Sequence, residues 1–131
     1  MKHSEPHELM LHAQIRQAIH MLRSKVRWKP GKDVQHLQTR MRYGHLPASM
    51  TVAGYEAIIN ALLNDSLADV YTYTWNQDIY PTIVSFYQAR HWLVMFGLNG
   101  VMETAFPPTD PDEYLADVRF RYISKMQEFM L

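Results

Sequence analysis

Residues 69–106 read DVYTYTW NQD IYPTIVSFY QAR HWLVMF GLNG VMETAF, and this stretch decides the fold. Four runs, Asp69–Trp75, Ile79–Tyr87, His91–Phe96 and Val101–Phe106, are rich in aromatic and β-branched side chains. Such side chains suit a pleated, half-buried surface. The links between them are Asn76-Gln77-Asp78, Gln88-Ala89-Arg90 and Leu98-Asn99-Gly100. Links this short close antiparallel hairpins, because parallel neighbours need a crossover of about a dozen residues or more. Asn99-Gly100 is the strongest of these turn signals. Pro81 lacks an N–H and therefore places Ile79–Tyr87 near an edge or at a bulge.

Working outward from the strands, Thr51 with nearby Glu56 opens a helix whose core face is Tyr55, Ile58, Ile59, Leu62 and Leu63. Asn64-Asp65-Ser66 ends it. Before it, Asp33 is placed to cap a shorter helix with Val34, Leu37 and Met41 along one side. His36, Arg40 and Tyr43 line another side, and Gly44 is placed as a left-handed stop. Further upstream, Ser4 can cap a first helix with Pro6 in its first turn. Leu11, Ile15, Ala18, Ile19, Leu22 and Val26 fall at helical spacing, and Lys29-Pro30-Gly31-Lys32 breaks it. Downstream, Pro107-Pro108 stops the last strand and Asp110-Pro111-Asp112-Glu113 is a capped helix start. Tyr114, Val118, Tyr122 and Met126 then repeat every four residues. The expectation is one α+β domain over residues 1–131, with N-terminal helices packed on a four-stranded antiparallel sheet. Residues 1–28 hold the first helix and 111–131 a closing C-terminal helix.

The chain has 131 residues, 47% of them apolar and 20% charged, enough for one hydrophobic core. No apolar run approaches the ~20 residues of a membrane span, and the N-terminus lacks a signal-peptide pattern. Without cysteine there is neither disulfide nor thiolate chemistry. A cytoplasmic address is expected. The net charge is zero, yet residues 1–45 hold nine basic and three acidic side chains, against four and ten in residues 46–131. Six of the seven histidines also fall in the first 45 residues. Such asymmetry suits either a basic surface for an anionic partner or two ends that pair with each other.

No glycine-rich phosphate loop, Gly-x-Ser-x-Gly or HExxH occurs. His12 and His20 stand two turns apart, too wide for paired zinc ligands, so neither metal nor cofactor is expected. Residues 33–47, DVQHLQTRMRYGHLP, gather His36, Arg40, Arg42, Tyr43 and His45. Cleaving RNA without a metal needs a base for the 2′-hydroxyl, an acid for the leaving 5′-oxygen and a cation for the phosphate. Histidine titrates near neutral pH and arginine's planar fork fits two phosphate oxygens. The same segment also reads as a solvated helix face with a histidine beside its cap. Thr104 is a polar residue in an apolar strand, suited to a phosphate oxygen or to the sheet's solvent side. Strict alternation puts it with Met102 and Phe106, and Glu103 with Val101 and Ala105. Tyr71, Tyr73 and Trp75 share one strand face, either as core or as a platform for unpaired bases.

Taken together, a helix carrying His36 and Arg40, a further helix and a meander ending Thr104-Ala105-Phe106-Pro107 resemble a known group. The pattern is similar to the barnase–EndoU–colicin D–RelE nuclease superfamily, in its phage-encoded and polymorphic-toxin branches. The resemblance covers residues 33–110. It departs from that group in its neutral charge and in lacking a clean His-x-x-Lys-His. It implies a metal-independent endoribonuclease of the toxin type that cuts tRNA or mRNA to a 2′,3′-cyclic phosphate. On that expectation His36 is the base and His45 the acid. Arg40 or Arg42 stabilises the transition state, Thr104 positions the phosphate, and Arg42, Tyr43 and Trp75 contact substrate. A cognate antitoxin or immunity protein would be its partner. The reading from another class is a non-enzymatic immunity protein, antitoxin or small phage-encoded regulator, whose acidic half suits a basic partner.

Overall fold

A computed structural model describes residues 6–130. The Ser4 cap lies outside them. Helices α1 (Pro6–Ser24), α2 (Lys32–Arg42) and α3 (Val52–Leu63) precede strands β1 (Asp69–Trp75), β2 (Asp78–Tyr87), β3 (Arg90–Phe96) and β4 (Met102–Phe106). A short helix α4 (Pro111–Leu115), strand β5 (Phe120–Lys125) and a 3-10 turn (Met126–Phe129) follow. The sheet is antiparallel throughout, in the order β4-β3-β2-β1-β5. The class is α+β as expected, with five strands in place of four.

The first two hairpins close through two-residue turns. Asn76 and Gln77 have φ of 49° and 71°, and Gln88 and Ala89 have φ of 48° and 71°. Two successive positive φ values match the right-handed twist of the flanking strands, and here no glycine supplies them. The third hairpin is looser. Gly97 N–H donates to the Val101 carbonyl at 2.9 Å, and Gly100 turns the chain with φ 76°.

Four expectations need correction. The C-terminal helix is confined to Pro111–Leu115, and residues 120–125 form β5 instead. That strand binds the free edge of β1, where Tyr122 pairs with Tyr71 and Lys125 reaches Asp69 at 2.7 Å. A row of unpaired β1 backbone groups outweighs the four-residue spacing; Val118, assigned to that helix, is 97% exposed. Pro81 does not mark an edge strand, since β2 lies in the middle of the sheet and Pro81 pairs with Thr72. Its proline is tolerated because the β2–β3 ladder begins one residue later, at Thr82. Asp33 is not the cap of α2. Gly31, with φ 78°, takes that place, while Asp33 sits in the first turn and accepts from Val34 N–H at 2.9 Å. Finally, the β3–β4 register slips between Met95 and Phe96, so Glu103 is an extra, bulged residue. Met102 therefore joins Ala105 in the core, not Thr104 on the other face.

One face of the sheet carries the main core. Ile15, Ile19 and Leu22 of α1 and Tyr55, Ile59 and Leu62 of α3 are sealed against it. The strands answer with Val70, Ile83, Val94, Phe96, Met102 and Ala105. The Tyr55 hydroxyl, fully buried, donates to the Ala105 carbonyl and ties α3 to β4. Because β4 and β5 form opposite edges, residues 107–119 must cross the sheet. They cross its other face, where Tyr114 touches both Phe106 and Phe120, and Val84 and Leu93 are buried outside the main core. Helix α2 lies along α3 and β4, at the edge where the candidate residues gather. No helix of the described residues is long and apolar enough to cross a membrane.

Candidate functional site

His36 and Arg40 stand four residues apart on α2 and so share a face. The helix stops at Gly44, whose φ of 73° turns the chain back on itself. His45 N–H then donates to the Arg40 carbonyl at 2.9 Å. This reversal brings the imidazole to the guanidinium, with Arg40 Nη1 3.0 Å from His45 Nδ1. Arginine can only donate, so Nδ1 accepts and the ring proton sits on Nε2. The imidazole is thus held neutral. Burial lowers its pKa from 6.5, and the charges of Arg40 and Arg90 lower it further.

Arg40 is the most unusual residue of the group. It is only 8% exposed. Its guanidinium carbon lies 5.3 Å from the centre of the Phe106 ring and 5.9 Å from that of Tyr43. Its Nε is buried without a hydrogen-bond partner. Among the described residues no carboxylate stands within ion-pair distance of it. A buried charge without a counter-ion is costly. The group whose geometry a guanidinium fork fits is a carboxylate or a phosphate.

One turn earlier, the His36 ring lies 5.4 Å from that of Trp28. Burial first, then Arg40 and Lys32, lower its pKa below 6.5, and Glu103 opposes them. A half-buried, neutral imidazole next to a fixed cation is suited to take up a proton. Trp28 is itself fixed, donating from Nε1 to Glu56 Oε2 at 2.9 Å. Met102 N–H donates to the Arg27 carbonyl at 2.8 Å, so the link 25–31 is strapped to β4. Lys29 pairs with Glu103 at 3.4 Å beside His36.

The structure unites Arg40, His45 and Tyr43, with His36 one turn away. The other expected members stand apart. Thr104 pairs with Met95 on the sheet face opposite the helices and forms no described hydrogen bond with His36, Arg40 or His45. It shares that face with Phe106, two residues on, which Arg40 overhangs. Arg42 is exposed at the end of α2, two residues past Arg40 and hence on another side of the helix. Trp75, 50% exposed, packs under Arg119 on β1, with β2 and β3 between it and β4. Arg90 and Trp28 were missed by the sequence reading. The only local signal is the basic-aromatic string Arg27-Trp28-Lys29, just ahead of the Lys29-Pro30-Gly31-Lys32 helix break.

Among the described residues no group of three or more His, Asp or Glu side chains is placed to hold a metal ion. Searches against family models, curated proteins and solved structures found no match to the chain.

Proposed function

We propose that the chain is a metal-independent endoribonuclease of the toxin type, acting on RNA phosphodiesters at the α2–β4 edge. The observation that carries this reading is Arg40, a buried guanidinium with no carboxylate beside it and aromatic walls around it. His36 takes the 2′-hydroxyl proton as the 2′-oxygen attacks phosphorus. Arg40 stabilises the charge that grows on the phosphate oxygens. The bond to the 5′-oxygen breaks, that oxygen is protonated by water, and a 2′,3′-cyclic phosphate remains. His45 takes a different part from the acid expected of it. With Nδ1 engaged by Arg40, it offers a neutral Nε2–H as a donor and orients the guanidinium. Exposed Tyr43 is the flanking surface for a base.

The test is cleavage of single-stranded RNA with excess chelator. Arg40→Ala should lower the rate about 10²–10³-fold, as loss of a charge-stabilising donor does. His36→Ala should lower it roughly 10²–10⁴-fold. Wild-type rates in both variants would refute the assignment. One observation favours the second reading, a non-enzymatic binder: neither imidazole beside Arg40 is poised to be a cationic acid. A chain that binds RNA through Arg40 but leaves it intact, and does not arrest growth when expressed, supports that alternative.

A further inference from the structure

We propose that the cavity beneath the 107–119 crossover holds the nucleobase adjoining the phosphate bound at Arg40, and that it selects bases carrying an exocyclic amine. This rests on the reading of Arg40 as a phosphate site. The cavity measures about 830 Å³ and is walled by the rings of Tyr73, Phe106, Tyr114 and Phe120. That volume falls in the ~300–1,000 Å³ range of small-molecule sites. The rings contact one another edge-on or tilted, with centroids 5.4 Å apart for Phe106–Tyr114 and 4.7 Å for Tyr73–Phe120. None of the four is buried, and Tyr114 is 38% exposed. Rings that served only to pack the crossover would be closed to solvent. Rings left open around a cavity present π-faces to a planar ligand.

The polar lining decides the class of ligand. Asp110 and Glu113 line the cavity. The cation there, Arg119, is already answered by Asp117 at 2.6 Å. The lining is therefore net acidic and repels a phosphate. Asp110 Oδ1 caps α4 by accepting from Glu113 N–H at 3.1 Å, while the Glu113 carboxylate has no described partner. A free carboxylate accepts only. It therefore suits the amine of adenine, cytosine or guanine, and meets a repelling carbonyl oxygen in uracil. Phe106 joins the two halves, since it lines this cavity and lies 5.3 Å beneath the Arg40 guanidinium. A nucleotide bridging Phe106 would place its phosphate by the cation and its base among the acids.

The experiment uses free nucleosides, which carry no phosphate and so do not depend on Arg40. Adenosine, cytidine, guanosine and uridine are titrated into the chain, and amide and ring NMR shifts are followed. The three amino-bearing nucleosides should bind several-fold more tightly than uridine, with shifts at Tyr73, Tyr114 and Phe120. Glu113→Gln, an exposed change that leaves the fold intact, should erase the discrimination, because an amide both donates and accepts. Tyr114→Ala should weaken all four. Equal binding of uridine, discrimination that survives Glu113→Gln, or no binding at millimolar nucleoside overturns the proposal and leaves Arg40 untouched. Normal discrimination without Arg40-dependent RNA binding instead refutes the phosphate reading, and with it the bridging of Phe106.

Discussion

On the proposed reading, Arg40 sets function against stability at a single residue. Removing a buried charge that has no counter-ion, and filling its place with an unbranched apolar chain, is often neutral or stabilising. Arg40→Met should therefore keep or raise the melting temperature while weakening RNA binding. A fall of many degrees would show that the guanidinium is chiefly structural. The histidines act in the same direction as one another. Burial leads the lowering of the pKa of His12, His36 and His45 from 6.5. The unfolded chain thus binds more protons than the folded one below about pH 6.5. Stability should hold above that value and fall as pH drops through the folded-state pKa values. Thermal melts at pH 7.5 and 5.5 read this directly. His12→Gln, which removes a ring stacked 4.2 Å from Phe129, should flatten the difference. A melting temperature that rises on acidification would contradict the sign. For the proposed reaction, the same lowering would keep His36 in its basic form, so the acid limb of kcat/KM should lie below 6.5.

At the scale of elements, the hairpins were legible because the turns leave only two residues between β1 and β2 and between β2 and β3. Such turns admit one strand direction and one register. Their cost is visible too, since non-glycine residues occupy left-handed backbone. Ala89→Gly, at φ 71°, should stabilise the chain by about 0.5–1 kcal/mol in urea denaturation. A loss of stability there would mean that the turn is strained elsewhere. Strand β5 was not legible. Its pairing is with β1, about fifty residues earlier, and the four-residue repeat of Tyr114, Val118, Tyr122 and Met126 reads instead as a helix. The Glu103 bulge was hidden for a related reason: one inserted residue reverses every face assignment beyond it, and only the partner strand reveals the slip. The site was legible to the same depth. The spacing of His36 and Arg40 on α2 follows from helix periodicity, and Gly44 signalled the reversal that returns His45. The distant partners Trp28, Arg90 and Phe106 needed the folded chain, and so did the separation of Trp75 from α2.

Across the whole molecule, the two charged halves do not neutralise one another. Of the three described ion pairs, only Lys29–Glu103 joins the first 45 residues to the rest. Lys25, Arg27, Lys29 and Lys32 are exposed over residues 25–32, the segment that leads to His36. The surplus acids gather on the crossover, around Asp110, Asp112 and Glu113. Folding thus keeps a basic approach to Arg40 on one side of Phe106 and an acidic chamber on the other. An RNA backbone following the strap would displace counter-ions, so its affinity should fall steeply with salt, by about 0.7 in log–log slope for each phosphate contacted. Lys25→Ala with Arg27→Ala removes two such contacts and should reduce that slope by about 1.4 while weakening all sequences alike. Arg40→Ala should cost more affinity than either, because its contact is desolvated. A slope unchanged by the strap substitutions would place the RNA backbone elsewhere on the surface, with Arg40 reached from the crossover side.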